Sequence, residues 1–294
     1  MHGRARGAAG ALFYIFLWAS AFVPSKIGVL GTSPLWFLVV RFTVAGLLAL
    51  AVARALGARL PRTRKDWIAV AVLGILGNAV YLGCTYVALR HLASGVGAIV
   101  ASTNPLVLAL VAPWLLAEPL TRNKIAGMLL GFGGVVWIMA VRTGSGSADA
   151  GDVATAFAGV LGSVASTIVF KRWCADLDLR AVNALQLFAA GIVLLPLAIA
   201  FEGKPHAIWS WTLVASFWYV VLVMSLGASL LWFWLLTHGE ASRVSAYYFL
   251  TPVFGLALAA LLLHEPVGVR DIGGLVAIAV GISLVQGSKG TPPS

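Results

Sequence analysis

Residues 104–134, NPLVLALVAPWLLAEPLTRNKIAGMLLGFGG, decide the fold of this chain, because their pattern returns in residues 251–281, TPVFGLALAALLLHEPVGVRDIGGLVAIAVG. The matching positions recur at a constant offset of 147 residues, the difference between 252 and 105. They are Asn104 with Thr251, Pro105 with Pro252, Glu118 with Glu265, Pro119 with Pro266, Gly127 with Gly274 and Gly134 with Gly281. Random apolar sequence does not repeat a Glu-Pro pair and a mid-helix proline at one spacing. The sequence is therefore predicted to contain two copies of one unit.

The composition indicates that lipid, not water, surrounds most of the chain. Of 294 residues, 61% are hydrophobic and 10% are charged, with a mean hydropathy of +0.97, whereas a soluble domain has about 25% charged residues. The net charge of +10 arises from basic residues in short joints between apolar runs, which is a topology pattern rather than a nucleic-acid-binding patch. No nucleic-acid partner is predicted.

Apolar runs bounded by charges, Gly or Pro predict ten transmembrane helices. They lie near 9–30, 34–54, 67–89, 95–117, 123–141, 153–173, 181–201, 211–236, 243–263 and 269–286. About 20 apolar helical residues span a bilayer, and runs this long without two-residue alternation are helices rather than barrel strands. The predicted fold class is an all-α polytopic membrane protein.

The distribution of Lys and Arg predicts the topology. With the N-terminus inside, fourteen of these residues fall on inner segments and four on outer joints, as cytoplasmic joints should hold the excess. Both termini are therefore predicted to be cytoplasmic. Five helices per half is an odd number, so the halves, residues 1–148 and 149–294, are predicted to be inverted five-helix repeats, an architecture of many secondary transporters.

Short motifs elsewhere in the chain add to the repeat. They are Trp18 to Phe22 with Lys26, Arg41-Phe42 with Ala45, Tyr86 to Leu89, Ser102 to Pro105, Glu118 to Thr121, Tyr248 to Pro252 and Glu265-Pro266. With these motifs the chain resembles the EamA-type drug/metabolite transporters, whose ten-helix members include amino-acid and aromatic-compound exporters. The resemblance implies a central cavity and a substrate range from amino acids to drugs. Unlike the four-helix multidrug members of that superfamily, this chain has no membrane-embedded glutamate.

All ten acidic residues fall in joints or at helix ends by this interpretation. A buried cation needs a fixed counter-charge, so strongly cationic substrates are disfavoured. Proton coupling through an intramembrane Asp or Glu is disfavoured for the same reason. No cofactor or metal ion is predicted.

Neutral polar and aromatic residues near the predicted midplane are the candidate substrate-binding residues. They are Trp18, Ser20, Asn78, Tyr81, Ser102, Asn104, Ser225, Ser229, Tyr248 and Thr251. Hydrogen-bonding groups beside aromatic faces suit a zwitterionic or neutral amphipathic solute. The alternative is that Asn and Ser side chains only tie neighbouring helices together.

Three prolines and two cations complete the set of candidates. Pro24, Pro105 and Pro252 are predicted hinges or kinks, because Pro removes a backbone donor from a helix. Lys26 and Arg41 lie toward the predicted outer ends of their helices, so snorkelling to the interface is the default interpretation. The alternative is attraction of a substrate carboxylate, for which Arg41 is the better candidate. Glu118 is predicted to accept from the N–H groups of the helix that follows it.

The predicted function is a secondary transporter, in the direction of export, of neutral or aromatic amino acids or related metabolites. Alternating access around a central cavity would move the solute. A gated channel and a membrane-embedded enzyme are the alternatives, although no nucleophile, zinc or nucleotide motif is evident. The predicted partners are the small-molecule solute and the lipid bilayer, with a monomer favoured and a dimer left open. A bacterial cytoplasmic (inner) membrane is the expected location.

Overall fold

Helices make up the fold in the computed structural model, which describes residues 2–92, 94–142, 149–254, 257 and 269–288. Across these residues the only strand-like pairing is an isolated bridge between Thr32 and Ala207. Numbered along the chain, the helical elements are α1 (His2–Ser20 and Phe22–Gly31), α2 (Pro34–Ala55), α3 (Arg64–Gly74, Ile75–Val80 and Tyr81–Ala88), α4 (Ser94–Ala101 and Asn104–Leu115), α5 (Arg122–Arg142), α6 (Ala150–Val169 and Phe170–Cys174), α7 (Leu179–Glu202), α8 (Trp211–Tyr219, Val220–Ala228 and Ser229–His238), α9 (Ala241–Ala246 and Tyr247–Leu250) and α10 (Val269–Gly287).

Seven helices in the described part of the chain are long and apolar enough to cross a membrane. They are Gly7–Gly31, Pro34–Ala55, Arg64–Ala88, Arg122–Ala140, Ala150–Cys174, Leu179–Glu202 and Trp211–His238. Two shorter apolar helices, Ile99–Leu115 and Ile272–Gly287, lie in α4 and α10. The predicted all-helical, polytopic membrane architecture is confirmed. The count of ten crossings and the side of each terminus stay predictions, and Glu265-Pro266 lies outside the described residues.

The pairs of packed helices are unchanged as a set when the first and second halves of the chain are exchanged. α2 packs along α7 and α5 packs along α10 over most of their lengths. α3 also contacts α6, as α1 contacts α8. Exchanging the first five elements for the last five maps the α2–α7 and α5–α10 pairs onto themselves and maps the α3–α6 pair onto the α8–α1 pair.

Glycines bring α5 and α10 into backbone contact in a reciprocal way. A Cβ atom added to Gly127 would lie 2.4 Å from the carbonyl oxygen of Gly281, and one added to Gly134 would lie 2.8 Å from that of Gly274. Because Gly127 matches Gly274 and Gly134 matches Gly281 in the repeat, the two contacts are equivalent. Small residues allow membrane helices to approach this closely.

A second reciprocal contact joins α2 and α7 at a different offset. A Cβ atom added to Gly46 would lie 2.9 Å from the backbone nitrogen of Phe188, and one added to Gly191 would lie 2.8 Å from Oγ1 of Thr43. Gly46 with Gly191, and Thr43 with Phe188, are each separated by 145 residues. α7 has 24 residues and α2 has 22, a difference of two. This difference equals the change in offset between the halves, which is 145 up to these helices and 147 after them.

Lys26 and Lys171 make equivalent contacts in the two halves. The ammonium of Lys26 in α1 donates to the carbonyl of Leu89 at 2.8 Å, at the end of α3. The ammonium of Lys171 in α6 donates to the carbonyls of Leu236 and Gly239, both at 2.9 Å, at the end of α8. Leu89 and Leu236 are 147 residues apart. A helix C-terminus attracts cations, so the Lys26 ammonium has a partner at the end of α3. The snorkelling of Lys26 stays a prediction.

Glu118 caps a different helix from the one predicted. Its carboxylate accepts from the backbone nitrogens of Ala241 at 2.6 Å and Ser242 at 3.0 Å, at the start of α9. The prediction that it caps the following helix is wrong, because Thr121 Oγ1 already accepts from the backbone nitrogen of Lys124 there. The first turn of α9 has no side-chain cap from its own Glu240, and its free N–H groups need an acceptor.

Candidate functional site

Two adjoining cavities lie at the centre of the helix bundle and share Trp18, Arg41, Tyr81, Leu82 and Met224 in their walls. The first, which we term the apolar cavity, is lined mainly by aliphatic and aromatic side chains, among them Phe22, Leu89, Leu92, Val100 and Val160. The second, the amide cavity, is lined by amides and hydroxyls, among them Asn78, Ser163, Ser166, Gln186, Ser225 and Ser229. One space is therefore apolar and its neighbour can form hydrogen bonds.

A third, smaller cavity adjoins them where α4 and α9 are interrupted. Its lining includes Ser102, Asn104, Tyr248, Thr251 and Pro252, together with Trp18 and Tyr81. Thus every predicted binding residue except Ser20 borders one of the three cavities. The Ser20 hydroxyl instead donates to the Leu17 carbonyl at 2.8 Å and bonds the Tyr219 hydroxyl at 2.5 Å, which ties α1 to α8.

Five aromatic rings form a continuous cluster between the cavities: Tyr14, Trp18, Tyr81, Trp232 and Tyr248. Trp18 stacks on Tyr81 with ring centroids 6.1 Å apart and meets Tyr248 edge-on at 5.8 Å. Tyr14 stacks on Trp232 at 5.1 Å, and its hydroxyl bonds that of Tyr248 at 2.8 Å. Aromatic pairs of this geometry stabilise their neighbours and present apolar faces to a ligand. Tyr14 was not predicted to belong to the site.

A chain of amide hydrogen bonds runs behind the amide cavity, whose wall includes Asn78 and Gln186. Asn78 Nδ2 donates to Gln186 Oε1 at 2.5 Å, and Gln186 Nε2 donates to Asn183 Oδ1 at 3.2 Å. Asn183 Nδ2 donates to the Ser225 carbonyl at 2.9 Å. The chain of hydrogen bonds therefore joins α3, α7 and α8, and its two α7 side chains, Asn183 and Gln186, were missed by the sequence interpretation. The 145-residue offset would have found Gln186, because it matches Arg41.

Arg41 lies inside the bundle and not at a lipid interface. Its side chain is 6% exposed. Nε donates to Ser225 Oγ and Nη1 donates to the Tyr86 hydroxyl, both at 3.1 Å; Tyr86 in turn donates to Ser25 Oγ at 2.8 Å. Arg41 is seven residues into α2, or about 10 Å along the helix, on the face that packs toward α3 and α8. The snorkelling interpretation of Arg41 is therefore wrong.

Wide helical turns position two of the site residues. The segments Ile75–Val80 and Val220–Ala228 are both π-helical, and the 147-residue offset places the first within the second. The first contains Asn78; in the second, Ser225 Oγ donates to the carbonyl of Val220, five residues back, at 3.0 Å. π-helical turns are rare and occur frequently at functional sites. The segments meet the amide cavity from opposite halves.

The comparison with known proteins identifies the family of the chain. The family model of EamA-like transporters matches residues 5–140 and, a second time, residues 152–286. The chain belongs to the EamA-like transporter family. It is 29% identical to the uncharacterized transporter YvbV of Bacillus subtilis, with 93% of this chain and 89% of YvbV aligned. It is 28% identical to protein PecM of Dickeya dadantii, with 92% and 89% aligned.

Two further comparisons give another bacterial relative and a solved structure. The EamA-like chain is 27% identical to the uncharacterized inner membrane transporter YedA of Escherichia coli, over 93% of this chain and 87% of YedA. A solved crystal structure with 20% sequence identity superposes with a TM-score of 0.79, covering 95% of this chain and 96% of the other. The superposition shows a shared fold. The family and the relatives' names point to a multi-pass membrane transporter rather than to an enzyme.

In this EamA-like transporter, both predicted mid-helix prolines follow interrupted turns. α4 is broken at residues 102–103 and resumes at Asn104–Leu115, which carries Pro105 in its first turn. α9 passes through the 3₁₀ turn Tyr247–Leu250 just before Pro252. Pro24 follows the break between the two segments of α1. The three prolines therefore lie beside irregular turns, and the hinge role stays a prediction.

A cluster of charged side chains lies at the end of the bundle that contains the C-termini of α4, α6, α8 and α10. Lys124, 1% exposed, donates to Glu240 at 2.6 Å and to Ser242 Oγ at 3.1 Å. Arg243 also pairs with Glu240 at 3.3 Å and donates to the carbonyl of Ser288. By the sequence topology this is the cytoplasmic end. Breaking a buried pair by removing one partner leaves an uncompensated charge and is strongly destabilising, so the cluster holds this end together.

Proposed function

We propose that this EamA-like protein is a secondary transporter that exports small amphipathic solutes by alternating access around the central cavities. Neutral and aromatic amino acids or related metabolites are the proposed substrates. The observation that carries the proposal is the junction of an apolar and an amide cavity at Trp18, Arg41 and Tyr81. A junction of this kind accommodates the apolar body and the polar head of one solute.

The proposed architecture is ten membrane helices in two inverted halves, residues 1–148 and 149–294, with both termini cytoplasmic. The reciprocal contacts of Gly127 with Gly281 and of Gly134 with Gly274 support a twofold relation between the halves. Further support comes from the equivalent contacts of Lys26 and Lys171. In an inverted repeat, such a site opens to one side and then to the other when the halves exchange conformations. The proposed location is a bacterial cytoplasmic membrane, and the proposed form is a monomer.

The candidate binding residues come from both halves, which favours a carrier over a channel. Asn78 belongs to the first half, whereas Ser225, Ser229 and Tyr248 belong to the second. A binding site between two mobile halves is taken apart in each conformational cycle. Each cycle therefore moves only the solute that was bound in the site, as in a carrier. A gated channel remains the second candidate because channels use the same residue types for selectivity.

Counterflow in proteoliposomes tests the proposal. Vesicles containing the purified full chain are loaded with unlabelled phenylalanine, and uptake of radiolabelled phenylalanine is followed with and without a pH gradient. We expect saturable counterflow that does not depend on the gradient, because no carboxylate borders the cavities in the described residues. Non-saturating flux at channel rates would contradict the carrier mechanism. Absence of exchange for phenylalanine and the other neutral amino acids would contradict the substrate assignment.

A further inference from the structure

The charge of Arg41 has no counter-charge in the described residues. None of the ion pairs among these residues includes Arg41, and both of its hydrogen-bond partners, Ser225 and Tyr86, are neutral hydroxyls. Burying a charge without an opposite charge is costly. A bound anion at the guanidinium would offset that cost, whereas a neutral ligand would not.

Arg41 also has donors to offer. A guanidinium carries five N–H donors in a planar fork that matches a carboxylate. The hydrogen bonds within the described chain use Nε and one N–H of Nη1. Three N–H donors are therefore available, on a side chain that borders both the apolar and the amide cavity.

The polar head and the apolar body of a ligand would have different surroundings beside Arg41. The amide cavity adds neutral donors and acceptors such as Ser229 and Asn78, while the apolar cavity adds Phe22, Leu89 and Val100. No Asp or Glu lines either cavity as described. Arg41 offers a full positive charge to an anionic head group, whereas no described lining residue offers a negative charge to an ammonium group.

The two halves differ in charge at the position of Arg41. The 145-residue offset matches Arg41 in α2 with Gln186 in α7, and the Gln186 side chain already bonds Asn78 and Asn183. In the second half, the position equivalent to Arg41 is therefore occupied by a neutral amide that is already hydrogen-bonded to two other amides. Among the described residues that line the three cavities, the one positive charge, that of Arg41, comes from the first half.

We propose that Arg41 anchors the carboxylate of the transported solute, so that the site takes apolar monocarboxylates whether or not they carry an amino group. This inference rests on the proposed transport function and narrows its substrate class. An amino acid such as phenylalanine is one member of the class, and 3-phenylpropionate, which lacks the amino group, is another. Phenylalaninamide keeps the ring and the ammonium but lacks the carboxylate, and it is excluded.

The first test measures binding to the purified full chain by isothermal titration calorimetry. The probes are 3-phenylpropionate, phenylalanine and phenylalaninamide. We expect the two carboxylates to bind with affinities within about tenfold of each other, and phenylalaninamide to bind at least about tenfold more weakly, as expected for loss of a charge-assisted hydrogen bond. Equal binding of phenylalaninamide and phenylalanine would overturn the inference, and so would binding by none of the three. The ligand series needs no variant, so it does not depend on how a variant folds.

The second test replaces Arg41. Arg41→Gln should weaken 3-phenylpropionate binding at least about tenfold, and Arg41→Lys should restore part of it, because a lysine keeps the charge but not the planar fork. Arg64→Gln is the matched control, since Arg64 is exposed at the start of α3 and should bind as wild type. Unchanged binding in Arg41→Gln would overturn the inference.

Transport and binding outcomes separate the two proposals. Binding that depends on Arg41 without counterflow in wild type would refute the transport function and keep the carboxylate anchor. Counterflow of phenylalanine at equal rates and half-saturation in wild type and Arg41→Gln would keep the transport function and refute the anchor.

Discussion

Gly127 and Gly281 meet so closely that a single methyl group would not fit between their helices. The Cβ atom of an alanine at position 127 would lie 2.4 Å from the carbonyl oxygen of Gly281, whereas at Gly133 it would meet nothing within 4 Å. Because both atoms at the Gly127 contact belong to rigid helical segments, α5 and α10 must separate to admit the methyl group. The pair is thus a direct backbone contact on which the association of these helices depends.

We predict that Gly127→Ala destabilises the protein by about 1–3 kcal/mol, the usual cost of overpacking. Gly133→Ala lies less than two turns away and should have the stability of wild type or slightly more, because alanine is the better helix former. Thermal unfolding of the purified variants in one detergent measures the difference. Equal midpoints for Gly127→Ala and Gly133→Ala would contradict the close contact.

Lys26 and Lys171 are predicted to hold opposite ends of the bundle. Replacing either with Met removes a cation bound to a helix C-terminus, at the end of α3 for Lys26 and of α8 for Lys171. Lys26→Met should expose buried Val29, and Lys171→Met should expose buried Leu235, which lie near the respective contacts. The measurement is labelling of Val29→Cys or Leu235→Cys by a membrane-impermeant maleimide, in a background lacking Cys84 and Cys174.

The control in that experiment is the other reporter. Lys26→Met should raise labelling of Val29→Cys at least twofold and leave Leu235→Cys unchanged, and Lys171→Met should do the reverse. Equal changes at both reporters would indicate general loosening and would refute independent contacts at the two ends.

Glu118→Gln should destabilise the protein by about 1–3 kcal/mol, since a buried carboxylate accepts from two backbone N–H groups and one hydroxyl at the start of α9. Glu202 is the matched comparison, because its carboxylate accepts from the backbone nitrogens of Leu35 and Trp36 at the start of α2. It is only half-buried, so Glu202→Gln should cost less. A larger loss of thermal stability for Glu202→Gln than for Glu118→Gln would contradict this order.

Asp178 makes a pH-dependent contribution to stability in the joint before α7. Hydrogen bonds from the Arg180 side chain, at 2.7 and 3.0 Å, and from the backbone nitrogen of Arg59 lower the pKa of the Asp178 carboxyl to about 2. Since the folded pKa lies below the unfolded value of about 3.9, the stabilisation is present above about pH 4. It is lost as the pH falls toward 2.

We therefore predict that Asp178→Asn lowers stability by at most about 1 kcal/mol at pH 6, as for other ion pairs near water. The difference in unfolding midpoint between wild type and Asp178→Asn should shrink between pH 4 and pH 2. A difference that stays constant over this interval would show that the carboxylate charge does not matter.

Helix ends were predictable because local residues mark them. The predicted helix at 34–54 corresponds to Pro34–Ala55, and the one at 211–236 corresponds to Trp211–His238. Prolines, glycines and charges at these boundaries act within a few residues of the chain. The partner of Glu118 was not predictable in this way, because its acceptor role depends on α9, more than 100 residues away.

The sequence predicted which types of residue line the candidate site, but it did not identify all of the residues that do so. Asn78, Tyr81 and Ser225 stood out as polar or aromatic residues in apolar runs, and they border the cavities. Gln186 was missed because a single offset of 147 was applied to both ends of the repeat. The orientation of Arg41 was also beyond the sequence, because depth along a helix does not tell which face packs inward.

The unequal pair Arg41 and Gln186 has a consequence for how a solute travels. A perfectly symmetric pocket between two inverted halves would accept its cargo in two head-to-tail poses of equal energy, and passage could scramble them. One fixed positive charge removes that degeneracy. The solute would then keep one orientation relative to the protein throughout the cycle, and the same end of the molecule would leave first each time.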